Sequence, residues 1–184
     1  MAKVKLSDAA YVTWGYGQVE PNHLSAQRNG EIYAQLPAKK TIKKLENGQF
    51  AKYDYANGEV NFTGKGPWML VYNEVKVYKD RQGDADFAMI KDNYIGNVLN
   101  DLPTYAGDDF QVMVPRLFAT HPGDHFTTNT INETTIEKGD LLTPGANGFL
   151  AKAGADTATE EVWQVAKVYT MPDGQKGVKV IKIK

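Results

Sequence analysis

Two stretches of the sequence decide the expected fold: KVYKDRQGDADFAMIK, from Lys76 to Lys91, and KVYTMPDGQKGVKVIK, from Lys167 to Lys182. Aligned without a gap, they share Lys-Val-Tyr at the start, one glycine in the middle and Ile-Lys at the end. Apolar residues also face each other where identity is lost. The match predicts an internal duplication, with equivalent places for Tyr78 and Tyr169, and for Gly83 and Gly174.

Further matches extend this duplication upstream in the same order. They pair Leu24-Ser-Ala26 and Gly30 with Leu117-Phe-Ala119 and Gly123, Leu45–Gly48 with Ile136–Gly139, and Asn57-Gly58 with Asn147-Gly148. We therefore expect a mainly β protein made of two tandem copies of a small β-barrel-like unit. The expected divisions are an N-terminal arm (residues 1–16), copy one (17–91), a linker (92–109) and copy two (110–184).

Local patterns favour strands over helices. Apolar and polar residues alternate in parts of Met69–Tyr78 and Val162–Tyr169, and Val178–Ile183 is suited to a closing strand. Asn-Gly and Asp-Gly pairs at Asn57, Asn147 and Asp173 predict hairpin turns, because these residues accept a positive φ. The one helix that we expect is a short linker helix, Tyr94 to Leu102, which Pro103 would end.

The composition excludes several classes of function. The chain has 184 residues, of which 42% are hydrophobic and 23% charged, values typical of a globular protein. Its formal net charge of −1 provides no basic surface for nucleic acid. The absence of cysteine excludes disulfides, zinc–thiolate sites and cysteine nucleophiles. No apolar run is long enough to span a membrane, and we expect no secretory signal.

The strongest candidate for chemistry is His121-Pro-Gly-Asp124-His125. Two imidazoles and a carboxylate at this spacing could ligate zinc or iron. The alternative is a polar turn, in which Pro122 and Gly123 make the bend. Copy one has no histidine at the equivalent place, so we favour the turn and expect no metal and no cofactor.

The arm carries three aromatic residues, Tyr11, Trp14 and Tyr16, among glycines. Tyrosine and tryptophan are favoured at interfaces because each buries a large apolar area and keeps a polar group. We therefore predict that these three residues form a contact surface. Two alternatives stay open: Trp14-Gly-Tyr-Gly17 could stack on a sugar, or the arm could add a strand to the fold, with its aromatic residues in the core.

Four stretches resemble small structural proteins of tailed bacteriophages. They are Gly30–Leu36 and Leu45–Gly58 in copy one, and Gly123–Asn129 and Ile136–Lys152 in copy two. They are similar to head decoration proteins, also called capsid auxiliary or cement proteins, which are built on β-barrel or β-tulip domains. The doubled length departs from the commonest decoration proteins, because two copies could mimic a pair of subunits.

This resemblance implies a non-enzymatic virion structural protein that binds the outer surface of a bacteriophage capsid and stabilises it. It would be synthesised in the host bacterial cytoplasm and end on the capsid surface. Its expected partner is the major capsid protein, with self-association into a homo-oligomer and no contact with nucleic acid or membrane. Two other hypotheses stay open: a carbohydrate- or receptor-binding β module of a head fibre or tail, and a metal-dependent enzyme using His121, Asp124 and His125.

Overall fold

The described part of the chain folds mainly as β-sheet. The computed structural model describes residues 11–12, 17–73, 88–90, 113–154, 161–171 and 174–184. They form a six-stranded and a five-stranded sheet, a two-stranded pair and one short helix. All strand pairs within these sheets are antiparallel. The mainly β fold expected from the sequence is therefore confirmed.

The elements follow one another in this order: β1 (Val19–His23), α1 (Ser25–Asn29), β2 (Ile32–Tyr33), β3 (Lys44–Glu46), β4 (Phe50–Asp54), β5 (Glu59–Asn61), β6 (Trp68–Val71), β7 (Ala88–Ile90), β8 (Leu117–Phe118), β9 (His125–Thr128), β10 (Leu141–Pro144), β11 (Leu150–Lys152), β12 (Trp163–Thr170) and β13 (Lys176–Lys182). The strands expected in Val162–Tyr169 and Val178–Ile183 correspond to β12 and β13. The strand expected from Met69 corresponds to β6, which ends at Val71, and the part of that stretch from residue 74 onward lies outside the described residues.

Apart from β1, which has no counterpart in the five-stranded sheet, the two sheets have the same internal order. The five-stranded sheet runs β2-β8-β6-β4-β5, and the six-stranded sheet runs β1-β9-β13-β12-β10-β11. In each, an antiparallel hairpin (β4–β5 or β10–β11) is followed by a third strand that pairs with the first strand of the hairpin. The glycines that end these hairpin turns, Gly58 and Gly148, both have a positive φ, as the Asn-Gly pairs predict.

One face of the five-stranded sheet packs against the six-stranded sheet. Phe50 lies 5.5 Å from Trp163 and 6.2 Å from Phe126 between ring centroids, so side chains of both sheets form one core. Alternate residues of the same strands, such as Ala51 and Tyr53, point the other way into a second core. The period of two along each strand thus supplies both faces of the five-stranded sheet with apolar side chains.

The sheets do not divide the chain as simply as two tandem copies. β1, from the first part of the chain, pairs with β9, and β8, from the second part, lies between β2 and β6. β7, which the alignment makes equivalent to part of β13, pairs with β3 instead. Its expected place in the sheet is held by β8, so this part of the alignment of Lys76–Lys91 is wrong. The remainder of that stretch, with Tyr78 and Gly83, lies outside the described residues.

Two other expectations change. No closed barrel is detected among the described residues, which form open sheets. The one helix among them, α1, lies inside copy one and was not expected; it ends at Gly30, whose φ of 72° suits a helix C-terminus. The predicted linker helix, Tyr94–Leu102, lies outside the described residues, as does nearly all of the arm.

Candidate functional site

The stretch His121–His125 forms a tight turn rather than a ligand cluster. The Asp124 N–H donates to the His121 carbonyl at 2.9 Å, and Gly123 takes a φ of 95°, which favours glycine. Asp124 is almost fully buried. Its carboxylate accepts a hydrogen bond from the His121 N–H at 2.9 Å. This geometry is that of a polar turn, the interpretation of His121–His125 that was favoured over a metal site.

The same carboxylate joins the turn to α1. The Ser25 N–H donates to Asp124 Oδ1 at 2.8 Å, and the Ser25 hydroxyl donates to Oδ2 at 2.8 Å. Asp124 thereby accepts the Ser25 backbone N–H at the start of α1. Leu24, the residue before the helix, makes no side-chain hydrogen bond to the helix. Residues 99 positions apart are thus held together by one side chain.

All three histidines of the chain lie near this turn, but they have different partners. His121 Nε2 is 2.7 Å from Glu31 Oε2, and His125 Nδ1 is 3.2 Å from the Gly123 carbonyl. The rings of His23 and His125 stack with centroids 5.6 Å apart. Within the described residues, no three His, Asp or Glu side chains are placed to hold a metal ion.

A nucleophile–base pair is also missing from this group. The Ser25 hydroxyl donates to Asp124, and none of the three histidines is hydrogen-bonded to it. A catalytic serine requires a base within hydrogen-bonding distance of its hydroxyl. The arrangement therefore ties together two segments of the chain and offers no activated nucleophile.

A second polar cluster, which the sequence analysis missed, is buried near the C-terminal end. Lys182 Nζ donates to Glu161 Oε2 at 2.7 Å and to the carbonyl and hydroxyl oxygens of Thr120 at 2.9 and 3.0 Å. Thr120 Oγ1 and Trp163 Nε1 both donate to Glu161 Oε1 at 2.9 Å. Burial raises the pKa of Glu161 above its usual value, and the Lys182 ammonium opposes that shift.

A third polar group joins the β3–β4 turn to Gly17 and to the second half of the chain. The Gly17 N–H donates to the buried Glu46 carboxylate at 3.0 Å, and Thr130 Oγ1 donates to the Asn47 carbonyl at 2.6 Å. The Gln49 side-chain amide donates to the Asn147 carbonyl at 3.0 Å. These bonds stabilise one relative arrangement of the two sheets, because buried polar groups lose free energy when their partners move away.

The predicted contact residues divide into two groups. Tyr11 is 4% exposed, lies in the core shared by the two sheets, and donates its N–H to the Ile131 carbonyl at 3.4 Å. Its ring is therefore not available to a partner, and that part of the prediction is wrong. Trp14 and Tyr16 lie outside the described residues, and their role as contacts stays a prediction.

The outer face of the six-stranded sheet carries apolar side chains that the sequence analysis did not select. Cross-strand partners have their side chains on the same face of a sheet. Three successive pairs, His125–Ile181, Ile181–Gln164 and Gln164–Leu141, therefore place these four residues on one face. Leu141 and Ile183 are 42% and 48% exposed. The signal was present in the alternation of β13, where Lys179 and Ile181 are partly exposed between buried residues, but alternation does not say which outward residues stay uncovered.

Comparison of the chain with protein-family models, with curated proteins and with solved structures finds no match. Among the described residues, no helix has the length and apolar character needed to cross a bilayer. The case for a function therefore rests on the site geometry, on the arrangement of strands and on the resemblance of the motifs.

Proposed function

We propose that this chain is a non-enzymatic virion structural protein that binds the outer surface of a bacteriophage capsid and stabilises it. The observation that carries the proposal is the matching of the two sheets, strand by strand. The orders β2-β8-β6-β4-β5 and β9-β13-β12-β10-β11 correspond along the whole series. The decoration-protein motifs imply a β-barrel or β-tulip domain, and two such units in one chain could mimic a pair of decoration-protein subunits.

The correspondence extends to individual hydrogen bonds. The Glu46 N–H donates to the side chain of Gln49 at 2.6 Å, and the Glu137 N–H donates to the side chain of Asp140 at 2.9 Å. Each acidic residue stands two positions before a glycine of positive φ, either Gly48 or Gly139. Equal bonds at equal spacing support a duplicated unit.

The far edges of the two sheets end in the same way. Ala38 makes an isolated parallel bridge to Val60, and Ile131 makes one to Leu150. Ala38 and Ile131 each stand eight residues after a turn glycine, Gly30 or Gly123. Each bridge brings the last strand of a sheet back toward the segment that follows β2 or β9, and this near-closure supports the barrel-like character of the units.

The physical requirements of a capsid-binding protein agree with this architecture. A shell is stabilised by any protein that binds the assembled state more tightly than it binds free subunits. Such a protein needs a body that keeps its shape and one adhesive surface, but no activated side chain. The polar bonds between the two sheets provide the first requirement, and Trp14 and Tyr16 of the arm are proposed to contribute to the second.

A carbohydrate- or receptor-binding module of a head fibre or tail is the second candidate. It is favoured by Tyr55, a ring that is 66% exposed at the tip of the β4–β5 hairpin. Exposed aromatic faces are common anchors in recognition surfaces. The proposed contact of the arm with the capsid does not involve the Tyr55 ring.

The number of copies in purified virions separates the two candidates. Quantitative mass spectrometry against the major capsid protein is expected to give many copies per head for a decoration protein. A number as small as that of the tail or fibre components would favour the receptor-binding module. Replacement of both Trp14 and Tyr16 by serine is expected to lower occupancy on heads, with Tyr55→Ser as the control that leaves occupancy unchanged.

A further inference from the structure

The strand β12 is longer than the neighbour that covers its outer edge. It spans Trp163–Thr170, but β10 pairs only with its first two residues. The last backbone bonds on this side join Val165 to Gly139 and to Asp140, at 2.8 and 2.9 Å. Beyond Val165, no described residue outside the β12–β13 hairpin makes a backbone hydrogen bond to β12. Residues 166–170, called the β12 edge below, therefore form an open strand edge.

The hairpin geometry decides which backbone groups of the β12 edge point outward. Residues along an antiparallel strand alternate between those bonded to the partner strand and those that face away from it. The Met171 N–H donates to the Gln175 carbonyl at 2.8 Å, so Met171 faces β13, and by alternation Tyr169 does as well. The N–H and carbonyl groups of Val168 and Thr170 then face away from β13. Both residues are exposed, so these donors and acceptors are available to a further strand.

The charges beside this edge favour an acidic strand. Lys167 is the cross-strand partner of Lys179, so two ammonium groups lie opposite each other on one face of the sheet. Like charges in this position destabilise a sheet. No ion pair of the described residues includes either lysine. Glu20 lies in the same row but two strands away from Lys179, and it accepts a hydrogen bond from the Tyr169 hydroxyl at 3.3 Å. A carboxylate on the open side of Lys167 would supply the missing counter-charge.

A second copy of this chain fits the β12 edge less well than an acidic strand does. Two copies paired antiparallel through this edge would bring the Lys167–Lys179 pair of each copy onto one face. Lysines and bulges on an edge strand are the features by which proteins avoid pairing with themselves. β12 has both, since its register shifts between Val165 and Lys167. These features oppose a strand of the same sequence, whereas a strand of opposite charge is attracted.

We propose that the β12 edge binds an extended acidic segment of another protein as an added strand. The N–H and carbonyl groups of Val168 and Thr170 hydrogen-bond the main chain of that segment, which provides affinity. An acidic side chain opposite Lys167 provides selectivity. An apolar side chain beside Val168, which is 36% exposed, adds buried apolar area. This surface is separate from the N-terminal arm, and the inference holds whether or not the chain binds capsids.

Binding of synthetic peptides to the full chain, followed by NMR, tests the proposal. The probe is a short capped peptide of alternating glutamate and valine, and the matched peptide has lysine in place of glutamate. The glutamate peptide is expected to shift the amide resonances of Val168 and Thr170 and to slow their hydrogen exchange. The lysine peptide is expected to bind about tenfold more weakly, because its charges would lie opposite Lys167.

Variants of the edge separate strand addition from a general attraction between charges. Lys167→Glu is expected to weaken binding of the glutamate peptide and to strengthen binding of the lysine peptide. Lys65→Glu, which makes the same change of net charge at an exposed position between β5 and β6, is the matched control and is expected to keep the wild-type preference. Val168→Pro removes an outward N–H, which an edge strand tolerates, and is expected to abolish binding of both peptides. Circular dichroism checks that each variant is folded, and Lys167→Glu decides the test if Val168→Pro is not.

Three results would each overturn the proposal. They are a glutamate peptide that leaves the Val168 and Thr170 amides unchanged, equal binding of the two peptides, and slow hydrogen exchange of both amides in the free chain. The last result would show that the edge is already covered. Sedimentation of the free chain would then identify the occupant, because a dimer that is lost in Val168→Pro assigns the edge to a second copy. None of these results bears on capsid binding.

Discussion

At the residue scale, the buried charges of this protein are bound by several partners each. Lys182 and Glu161 are both buried, and each makes hydrogen bonds to neutral groups as well as to the other. A buried ion pair contributes little to stability by itself, because both charges lose hydration. Replacing only one member of the pair by a neutral residue is costly, because the other charge then stays buried without its partner.

Replacement of Lys182 by methionine is therefore expected to lower the free energy of unfolding by about 3–5 kcal/mol. Methionine fills the space of the lysine stem but leaves the Glu161 carboxylate buried without its cation. Urea denaturation measures the change. The double variant Lys182→Met with Glu161→Gln is the control and is expected to recover part of the loss; a single variant as stable as the wild type would contradict this role of the pair.

Replacement of the histidines is expected to leave the free energy of unfolding nearly unchanged, whereas replacement of Asp124 is expected to lower it. Replacing both His121 and His125 by alanine should change the unfolding free energy by no more than about 0.5 kcal/mol, because their contacts are largely exposed. Asp124→Ala should cost about 1–3 kcal/mol, since it leaves the N–H groups of Ser25 and His121 without their acceptor. Urea denaturation compares the variants, and stoichiometric zinc or iron in protein purified without added metal would contradict the non-metal assignment.

At the element scale, turn chemistry was predictable from the sequence and strand partners were not. The Asn-Gly pairs at Asn57 and Asn147 predicted hairpins because a positive φ is a local requirement that glycine meets. The exchange of β1 and β8 between sheets depends on contacts between distant residues, which no local pattern encodes. The helix Ser25–Asn29 was missed for the same reason: its first N–H groups are satisfied in part by Asp124, far away in the sequence.

The paired glycines provide a matched test at this scale. Gly58→Ala is expected to cost about 1–2 kcal/mol, the strain of a side chain in the left-handed region, because the space around it is open. Gly148→Ala is expected to cost about 1–3 kcal/mol more, because its Cβ would overlap the Phe50 carbonyl between the units. Thermal or urea unfolding compares the two, and equal losses would show that the hairpin tip is not packed as described.

At the scale of the whole molecule, the two parts of the chain are interlocked. β8, which belongs to the second part of the chain, lies within the five-stranded sheet. β1, which belongs to the first part, pairs with β9 in the six-stranded sheet. The core with Phe50, Phe126 and Trp163 contains side chains from both. The sequence correctly predicted a mainly β fold, but the exchange of strands between the two parts of the chain follows only from the three-dimensional pairing.

Separate expression of residues 17–91 and 110–184 is therefore expected to give two fragments without a cooperative unfolding transition. Each fragment would lack a strand and expose one half of the shared core. The full chain should unfold in a single transition, as a cooperative unit does. Circular dichroism during thermal unfolding measures this, and a sharp transition in either fragment alone would show that the units are independent.

The central claim, that this protein binds assembled capsids, is tested most directly by sedimentation with purified heads. The purified chain is incubated with mature bacteriophage heads that lack it and, in parallel, with unassembled major capsid protein. The account predicts that the chain sediments with the heads to a saturable level and does not bind the free subunits, because preferential binding to the assembled state is what stabilises a shell. A chain that stays in the supernatant with the heads, or that binds both forms equally, would contradict it.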